Sequence, residues 1–407
     1  MSNSVSRMET ARVVEVRREG ACLGYVAVDS TVGGQSCGGL RMLPDVSADE
    51  LRILARQMTF KYGLLGLPQG GAKGGVIGDP DAPAEVRRSI LRRFGEAIRD
   101  MLASGAYRPG PDMGTTNEEI AAMLRDIGIP FSRRDLQVKD SGYYTALGVF
   151  AGAREAGRRC GLSLAGARCV IQGFGKVGAA LAQFLDAAGA RVVAVATSRG
   201  GLVDNRGLDV PLLLKASRER GSGFVESFPA ERWPADRILE VDCEFLFPCA
   251  RHHAIHDENV ERITARVISA GANAACTPSA ESRLLDRGAV CLPDFVTNCG
   301  GVLGGTMEFA GIPQPAVRRM MEPWISELVR SLLDAAARTG IPARRLAETF
   351  ALERHAAIQK SAENPTPSEQ LVRWGVRAYR SCLAPRWLVR RFAEKHFEAL
   401  MSGVRFA

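Results

Sequence analysis

The sequence has no run of 18 or more apolar residues, so we expect no transmembrane helix. Its first twenty residues lack the apolar core of a secretory signal peptide. None of the ten cysteines forms a CxxC pair, and several lie in apolar runs, which is typical of reduced thiols in a cytoplasmic protein. We find no internal repeat and no low-complexity segment. These absences argue against a membrane protein, a disulfide-stapled secreted protein and a repeat scaffold.

What the sequence does contain is typical of a globular protein. Its 407 residues are 46% hydrophobic and 24% charged, enough for two or three domains with their own cores. The formal net charge of +8 raises the question of an acidic partner. No dense basic stripe with interleaved aromatic residues is present, so we expect solvated arginines and no nucleic-acid partner.

The order of apolar patterns predicts an α/β fold with two domains. Three glycine-broken strands precede a helix over residues 47–65, which Ser47 and Glu50 begin as a capping box. Further along, "ARCVIQGFGKVGAALAQFLDAAGARVVAVATS" follows the order strand, turn, helix, strand. Later unbroken apolar runs suit buried parallel strands.

We expect a mixed α/β domain over residues 1–145, completed by 345–407, and a Rossmann-type domain over 146–344.

A glycine-rich turn at the first strand of this second region predicts a dinucleotide site. Gly173, Gly175 and Gly178 form a GxGxxG that follows a strand and opens a helix. The first glycine permits the turn, the second admits the pyrophosphate, and the third lets helix pack on strand. The pyrophosphate would bind amides at the helix N-terminus.

The end of the following strand favours NADP over NAD. An NAD site usually has an acidic residue there, but this sequence has Thr197, followed by Arg199. A 2′-phosphate would meet no carboxylate and could pair with the arginine. Arg199 as a plain solvent-facing residue is the alternative, so NAD stays open.

Two lysines and an aspartate are candidates for catalysis. Lys61 lies on a helix, Lys73 follows 12 residues later in "LPQGGAKGGVIGDP", and Asp112 lies in a loop. Two lysines close together depress each other's pKa, and a neutral lysine is a competent general base. We interpret the glycines around Lys73 as space for backbone and substrate. The alternative is a surface lysine, a turn lysine and an aspartate that caps the helix "TTNEEI".

A series of motifs resembles the glutamate/leucine/phenylalanine/valine dehydrogenase family over roughly residues 10–360. The motifs are "GGLRM" (38–42), "MTFKYGLLGLPQGGAKGGVIGDP" (58–80), "PDMGTTNEEI" (111–120), "YTALGV" (144–149), "VIQGFGKVG" (170–178), "GAN" (271–273) and "PDFVTNCGGV" (293–302). The resemblance implies a substrate domain and a Rossmann-type domain that face a cleft. It also implies a symmetric homo-oligomer.

The resemblance implies a role for each matching residue. Lys73 matches the catalytic lysine, Asp112 the catalytic aspartate and Lys61 the lysine that binds the substrate α-carboxylate. Thr145 and Asn273 match residues that place the nicotinamide. The expected cofactor contacts are Thr145, Gly173, Phe174, Gly175, Lys176, Val177, Gly178, Thr197, Arg199 and Asn273. The implied reaction is oxidative deamination of an amino acid to a 2-oxo acid and ammonia, or its reverse, with NADP or NAD.

The expected substrate pocket departs from that of glutamate-specific members. Those members have a lysine before "GGLRM" and a serine after "NAGGV", where this sequence has Cys37 and Gly305. Burying an unpaired γ-carboxylate costs several kcal/mol, so we expect an aliphatic or aromatic substrate. The alternative is that another residue supplies the charge. The expected substrate contacts are Cys37, Gly38, Gly39, Met58, Lys61, Asn298, Val302 and Gly305.

Two further features have ordinary interpretations. His252 and His256 have a spacing that can bind metal, but no third ligand is evident, so we expect no metal site. The basic segment 361–407 lies beyond the resemblance, and we expect it to pack on its own or a neighbouring subunit rather than on a membrane.

Three functions stay open at this point: a dehydrogenase for a non-acidic amino acid, a glutamate dehydrogenase or biosynthetic relative, and a noncatalytic cofactor-binding regulator.

Overall fold

The computed structural model describes residues 11–132, 134 and 141–406. The chain forms two compact units, one from Met1–Gln137 with Ala351–Ala384 and the other from Val138–Phe350 with Pro385–Ala407. Each unit has its own β-sheet, which confirms the predicted α/β class with two sheets. Within the described ranges, no helix is both long enough and apolar enough to cross a membrane.

The first unit is built on a five-stranded mixed sheet. Its strands are β1 (Arg12–Arg18), β2 (Ala21–Val28), β3 (Ser36–Leu43), β4 (Gly70–Ile77) and β5 (Arg108–Pro111). Its first helices are α1 (Ala48–Leu65), α2 (Ala84–Ala97), α3 (Arg99–Ser104) and α4 (Asn117–Asp126). The strand order is β1-β2-β4-β3-β5, with β3 parallel to β4 and β5 and β2 antiparallel to β1 and β4.

Helices cover both faces of this sheet. Helix α1 begins at Ser47, whose hydroxyl accepts the Glu50 N–H, and ends at Gly66 in the left-handed region. It packs Leu51 and Leu54 on one face. Helices α2 and α4 bury their apolar side chains on the other face. The alternation of inward and outward residues in β2 and β4 therefore serves two separate cores.

The glycine-rich stretch is a central strand, β4, which the sequence analysis did not assign. A Cβ added at Gly71 would lie 2.3 Å from Thr59 N, and one at Gly75 would lie 2.4 Å from Val46 Cγ1. On the other face, a Cβ at Gly74 would lie 2.4 Å from the Tyr107 hydroxyl. These glycines permit close approach of neighbouring elements. Space around Lys73 for backbone and substrate was thus an incomplete explanation, because the chain itself occupies it.

The second unit contains a seven-stranded sheet. Its strands are β6 (Arg168–Gln172), β7 (Arg191–Thr197), β8 (Gly200–Val203), β9 (Glu231–Trp233), β10 (Phe245–Pro248), β11 (Val267–Ile268) and β12 (Val290–Cys291). The order is β12-β11-β10-β6-β7-β8-β9, and the first five are parallel. Strand order reverses between β6 and β10, which is the switch point where doubly wound sheets bind ligands. The three late apolar runs are parallel strands, as predicted.

Ten further helices follow in chain order. They are α5 (Ser141–Arg159), α6 (Lys176–Ala187), α7 (Val210–Arg220), α8 (Pro278–Asp286), α9 (Asp294–Thr297), α10 (Gly300–Phe309), α11 (Gln314–Thr339), α12 (Ala343–Glu363), α13 (Pro367–Arg380) and α14 (Arg386–Ser402). Short 3-10 helices cover Gly221–Glu226, Ala235–Glu240 and Val260–Arg262. The basic segment 361–407, for which the sequence analysis predicts no internal division, contains α13 and α14. Proline is tolerated in the first turn of a helix, and Pro367 begins α13.

Candidate active site

Lys73 and Asp112 form an ion pair inside the first unit. Lys73 lies on β4 with 2% of its surface exposed, and its Nζ lies 2.8 Å from Asp112 Oδ2. Glycines on β3 leave the space for this pair. A Cβ at Gly39 would lie 2.8 Å from Asp112 Cβ and 3.1 Å from Lys73 Nζ, and one at Gly38 would lie 1.6 Å from Ala72 O. The structure thus brings together the two residues that the sequence analysis selected for catalysis.

The surroundings shift both pKa values downward. Burial lowers the pKa of Lys73 below its usual value, although the attraction of Asp112 opposes the shift. Burial acts to raise the pKa of Asp112, but the attraction of Lys73 and Arg41 outweighs it and holds this pKa well below its usual range. The site therefore combines an ionised aspartate with a lysine that releases its proton more easily than a surface lysine.

Arg41 and Glu50 extend this pair into a row of alternating charges. Arg41 donates from Nε to Asp112 Oδ2 at 2.9 Å and from Nη1 to Glu50 Oε1 at 2.5 Å. In the sequence, Arg41 is only one letter of the "GGLRM" motif, and Glu50 is predicted only as part of a helix cap. An arginine inside the apolar strand "GGLRML" was the available signal, because a buried guanidinium needs a buried anion.

The alternative in which Asp112 caps the next helix is wrong. Thr116 is the N-cap of α4, and it forms a capping box with Glu119: Thr116 Oγ1 accepts the Glu119 N–H, and Glu119 Oε2 accepts the Thr116 N–H. The Asp112 backbone N–H donates to Thr115 Oγ1 at 3.0 Å. The Asp112 carboxylate therefore forms ion pairs with Lys73 and Arg41 instead of capping the helix.

The other predicted substrate contacts of this unit lie on α1 and β3. Lys61 and Met58 are buried in α1, which packs against β4. Cys37 on β3 is half-buried, and its thiol is in hydrogen-bond contact with the hydroxyl of Tyr62. Burial, followed by the neighbouring thiol, raises the pKa of Tyr62 well above its usual value. The position before "GGLRM" therefore presents a thiol beside a neutral phenol.

In the second unit, the glycine motif has the geometry of a phosphate-binding turn. Gly173 has a φ of 104°, and a Cβ there would lie 2.8 Å from Ala250 N. A Cβ at Gly178 would lie 2.0 Å from Gly173 O, whereas one at Gly175 would meet no heavy atom within 4 Å. Gly175 is also the N-cap of α6 and offers no side-chain cap. Gly173 and Gly178 permit close packing within the fold, and Gly175 leaves the helix N-terminus open to an anion.

The residues between these glycines hold the turn in place. Phe174 is buried, its N–H donates to Ala196 O at 2.7 Å, and its ring packs on Phe224 at 5.5 Å. Lys176 and Val177 begin α6. The predicted cofactor contacts from Gly173 to Gly178 therefore lie together at the carboxyl end of β6.

The end of β7 carries no carboxylate. Thr197 donates from Oγ1 to Ser222 O at 2.9 Å and accepts the Arg199 N–H at 3.1 Å. The Arg199 side chain is exposed. This loop keeps a hydroxyl and a guanidinium where an NAD-specific site usually has an acid.

Asn273 and Asn298 meet at the edge of the same sheet. Asn298 is buried, and its Nδ2 donates to Ala272 O and to Asn273 Oδ1, each at 3.1 Å. These bonds tie the start of α10 to the loop after β11. The structure thus joins two residues that the sequence analysis assigned separately to cofactor and substrate.

Thr145 and the remaining predicted substrate contacts lie on neighbouring helices. A Cβ at Gly301 would lie 2.4 Å from Thr145 Oγ1, so α5 and α10 are in close contact there. Val302 is half-buried and Gly305 is buried, both on α10. Gly305 contributes no side chain that could pair with a substrate carboxylate.

A buried charge cluster, absent from the sequence analysis, holds the Asn273 loop. Asp294 accepts the Ala274 N–H at 2.7 Å, and Ala274 has a left-handed φ of 48°. Arg344 donates to Asp294 at 2.8 Å and to Glu281 at 2.6 Å. A charge-assisted hydrogen bond to the backbone stabilises the unfavourable φ and so fixes the residue beside it.

His252 and His256, whose spacing can bind metal, lie on the loop after β10. In the part of the chain that the structure describes, no group of three or more His, Cys, Asp or Glu side chains is arranged to hold a metal ion.

Comparisons with known proteins agree with this geometry. The family model for the "Glu/Leu/Phe/Val dehydrogenase, dimerisation domain" matches residues 8–128, and that for the "Glutamate/Leucine/Phenylalanine/Valine dehydrogenase" matches residues 138–362. The NAD-specific glutamate dehydrogenase of Staphylococcus aureus (strain COL) is 32% identical over 328 residues, 77% of this chain and 78% of that one. The NADP-specific glutamate dehydrogenase of Saccharolobus shibatae is 32% identical over 302 residues, 71% of each chain.

A solved structure extends the agreement to the fold. The hetero-hexameric glutamate dehydrogenase of Thermus thermophilus, in its Leu-bound form, superposes with a TM-score of 0.71 at 29% identity. The match covers 85% of this chain and 88% of that one. The motif resemblance is confirmed, and a noncatalytic regulator is set aside: the chain belongs to the glutamate/leucine/phenylalanine/valine dehydrogenase family and is an NAD(P)-dependent amino-acid dehydrogenase, an oxidoreductase.

Proposed function

We propose that the enzyme deaminates an L-amino acid with a non-acidic, aliphatic or aromatic side chain to its 2-oxo acid and ammonia, or catalyses the reverse reaction. The observation that carries this proposal is Cys37. Its thiol contacts the Tyr62 hydroxyl on the sheet face that also carries Gly39, next to the Lys73–Asp112 pair. A γ-carboxylate placed there would meet a thiol and a neutral phenol, and desolvating an unpaired carboxylate costs several kcal/mol.

Glutamate is the second candidate substrate, and Arg108 favours it. Arg108 on β5 pairs directly with Cys37 on β3, and paired residues of neighbouring strands point to the same face. The curated relatives above are glutamate dehydrogenases. Against this candidate, the Arg108 side chain is directed toward Gly105, because a Cβ added at Gly105 would lie 3.3 Å from Arg108 Nε.

A substrate screen separates the two candidates. The twenty amino acids would be supplied with NAD and with NADP while reduced nicotinamide is followed by absorbance. We expect turnover of apolar amino acids. Cys37→Lys should raise kcat/KM for glutamate by about 30-fold, equivalent to about 2 kcal/mol for pairing the carboxylate, whereas Arg108→Met should leave the apolar substrates unaffected. If glutamate is the best substrate of the unmodified enzyme and Arg108→Met loses activity with it, the second candidate is established.

We propose that Lys73 acts as the general base and Asp112 as the proton shuttle. A bound nicotinamide would supply the acceptor for the hydride that leaves the amino-acid Cα. Lys73, whose pKa burial lowers, takes a proton from the water that attacks the resulting substrate imine. Asp112, 2.8 Å away, relays to the departing ammonia the proton that Lys73 took from the water. Lys61 holds the α-carboxylate through its charge. Lys73→Ala should abolish turnover and preserve cofactor binding; retained turnover would contradict its role.

The residues of the second unit fit a dinucleotide. The pyrophosphate would bind at the uncapped start of α6. It would lie on the side of Gly175 where a larger residue would carry its Cβ. Thr145 and Asn273 would orient the nicotinamide. The Thr197 hydroxyl and Arg199 guanidinium favour NADP over NAD.

We propose that the chain assembles into a homo-oligomer. The match of residues 8–128 to a dimerisation domain and the hexameric state of the Thermus thermophilus relative support this assembly. We also propose a cytoplasmic location, which is supported by ten cysteines that form no disulfide within the described residues. Light scattering of the purified protein tests the assembly: the mass of one chain would contradict it.

A further inference from the structure

The outer face of α13 leaves large apolar side chains in water. Trp374 is 72% exposed and Leu371 is 75% exposed. With Gly375 and Ala378 they follow the i, i+3, i+4, i+7 spacing that puts residues on one side of a helix. These four residues form what we call the Trp374 stripe. Scattered apolar residues on a surface are ordinary, but an aligned stripe with an exposed tryptophan indicates a binding surface.

The inner side of α13 is held by its own unit. Tyr379 is buried, and the Arg134 guanidinium lies over its ring at 3.8 Å. Ser132 donates to Arg380 O at 2.7 Å, and Arg134 donates to Ala384 O at 2.8 Å. The helix is therefore docked through one side and presents the Trp374 stripe on another, so the stripe is a fixed surface rather than part of an unattached tail.

The stripe is complementary to itself. Trp374 is a large knob, whereas Gly375 and Ala378 beside it are small, and a Cβ at Gly375 would meet no heavy atom within 4 Å. Two copies related by a two-fold axis can place each tryptophan over the small residues of the other. The stripe contains no charged residue, so this contact brings no like charges together at its centre, although the chain from Gln370 to Phe406 is rich in arginine.

The stripe also belongs to the unit that matches the dimerisation-domain model, yet it lies outside the matched residues 8–128 and 138–362. One helix face falls short of the roughly 800 Å² per partner that a standard interface buries. It therefore suits an addition to a larger interface made by the same unit.

We propose that the Trp374 stripe packs against the same stripe of a second copy of this chain. This inference rests on the proposed homo-oligomer and names one of its contacts. Because tryptophan and exposed apolar anchors dominate interface energies, the contact contributes measurably to assembly. An anionic lipid surface is the competing occupant, since arginines follow the stripe in sequence.

The test compares Trp374→Glu with Val376→Glu, a matched control on α13. Val376 is 46% exposed and lies on the opposite side of the helix from the stripe. We expect Trp374→Glu to raise the protein concentration at which the oligomer dissociates in light scattering by about 10-fold or more, while Val376→Glu keeps the dissociation of the unmodified protein. Equal thermal unfolding midpoints for the two variants would show that both fold.

Cross-linking gives a second measurement. Mild oxidation of Gly375→Cys should yield a covalent pair joined through position 375, identified by mass spectrometry, whereas Val376→Cys should not. If the unmodified protein has the mass of one chain, the proposed homo-oligomer itself is contradicted. An oligomer that dissociates at the same concentration in Trp374→Glu as in the unmodified protein would leave the assembly standing and overturn the stripe contact. Loss of binding to phosphatidylglycerol vesicles in Trp374→Glu, without a change in the dissociation of the oligomer, would also overturn it in favour of lipid.

Discussion

Replacing Arg41 by glutamine removes a positive charge that faces Lys73 across Asp112. Arg41 Nε and Lys73 Nζ contact the same Asp112 oxygen at 2.9 Å and 2.8 Å, so they are separated by at most the sum, 5.7 Å. Two unit charges at that distance repel by about 3 kcal/mol at an effective dielectric constant of 20. This repulsion favours neutral Lys73. Without it the pKa of Lys73 rises, and less of the lysine is available as a base near neutral pH.

We therefore expect kcat of Arg41→Gln to fall by about 10- to 100-fold near neutral pH and to recover as the pH is raised. The sign follows from the direction of the shift: a higher pKa moves the deprotonation of Lys73, and with it the rising limb of the pH–rate profile, to higher pH. Arg41→Lys keeps the charge and should move this limb less. Steady-state rates across pH at saturating substrate and cofactor give the profile.

A matched control is Arg56→Gln, which removes the arginine partner of Asp29 at 3.2 Å in the same unit. It should leave the pH profile in place. A loss in Arg41→Gln that is equal at every pH would refute the electrostatic reasoning, because a purely structural defect does not recover with pH. A wild-type profile in Arg41→Gln would refute it as well.

Three further predictions concern the second unit. Gly175→Ala should keep the unfolding midpoint but weaken NAD(P) binding measured by fluorescence titration, whereas Gly178→Ala should lower the midpoint, because its Cβ would lie 2.0 Å from a carbonyl oxygen; equal effects of the two would contradict the assignment. Arg199→Asp should raise KM for NADP by about 10-fold or more and spare NAD; unchanged KM for NADP would show that the arginine only faces solvent. Asp294→Ala should reduce the free energy of unfolding by about 2–3 kcal/mol in urea titrations, since it leaves the Ala274 N–H without its acceptor and half-buried Arg344 with Glu281 alone; a loss below 1 kcal/mol would contradict this.

Much of the fold followed from local patterns. The turn at Gly173 could be predicted because strand, glycines and helix are contiguous in sequence. The strand β4 could not, since glycine has no strand propensity of its own. Its extended structure depends on pairing with β2 and β3 and on the close approach of α1, which are contacts between distant parts of the chain.

The candidate site divides in the same way. Lys73 and Asp112 stand out through motifs, whereas the roles of Arg41 and Glu50 appear only once β3 and α1 are placed side by side. The cluster of Arg344 with Asp294 joins residues 50 positions apart. No spacing rule links such residues, because the sheet and helix geometry alone brings them together.

The glycines of β4 bear on how such an enzyme acquires a new substrate. Nearly every position around Lys73 is closed to a larger residue by backbone or by a packed side chain, so mutation there damages the fold before it alters selectivity. Cys37 lies on the adjacent strand and is half-buried, and it already carries a side chain. Divergence of substrate preference can thus proceed at position 37 while the reactive amine stays in an unchanged setting, and a directed-evolution library gains most from that position.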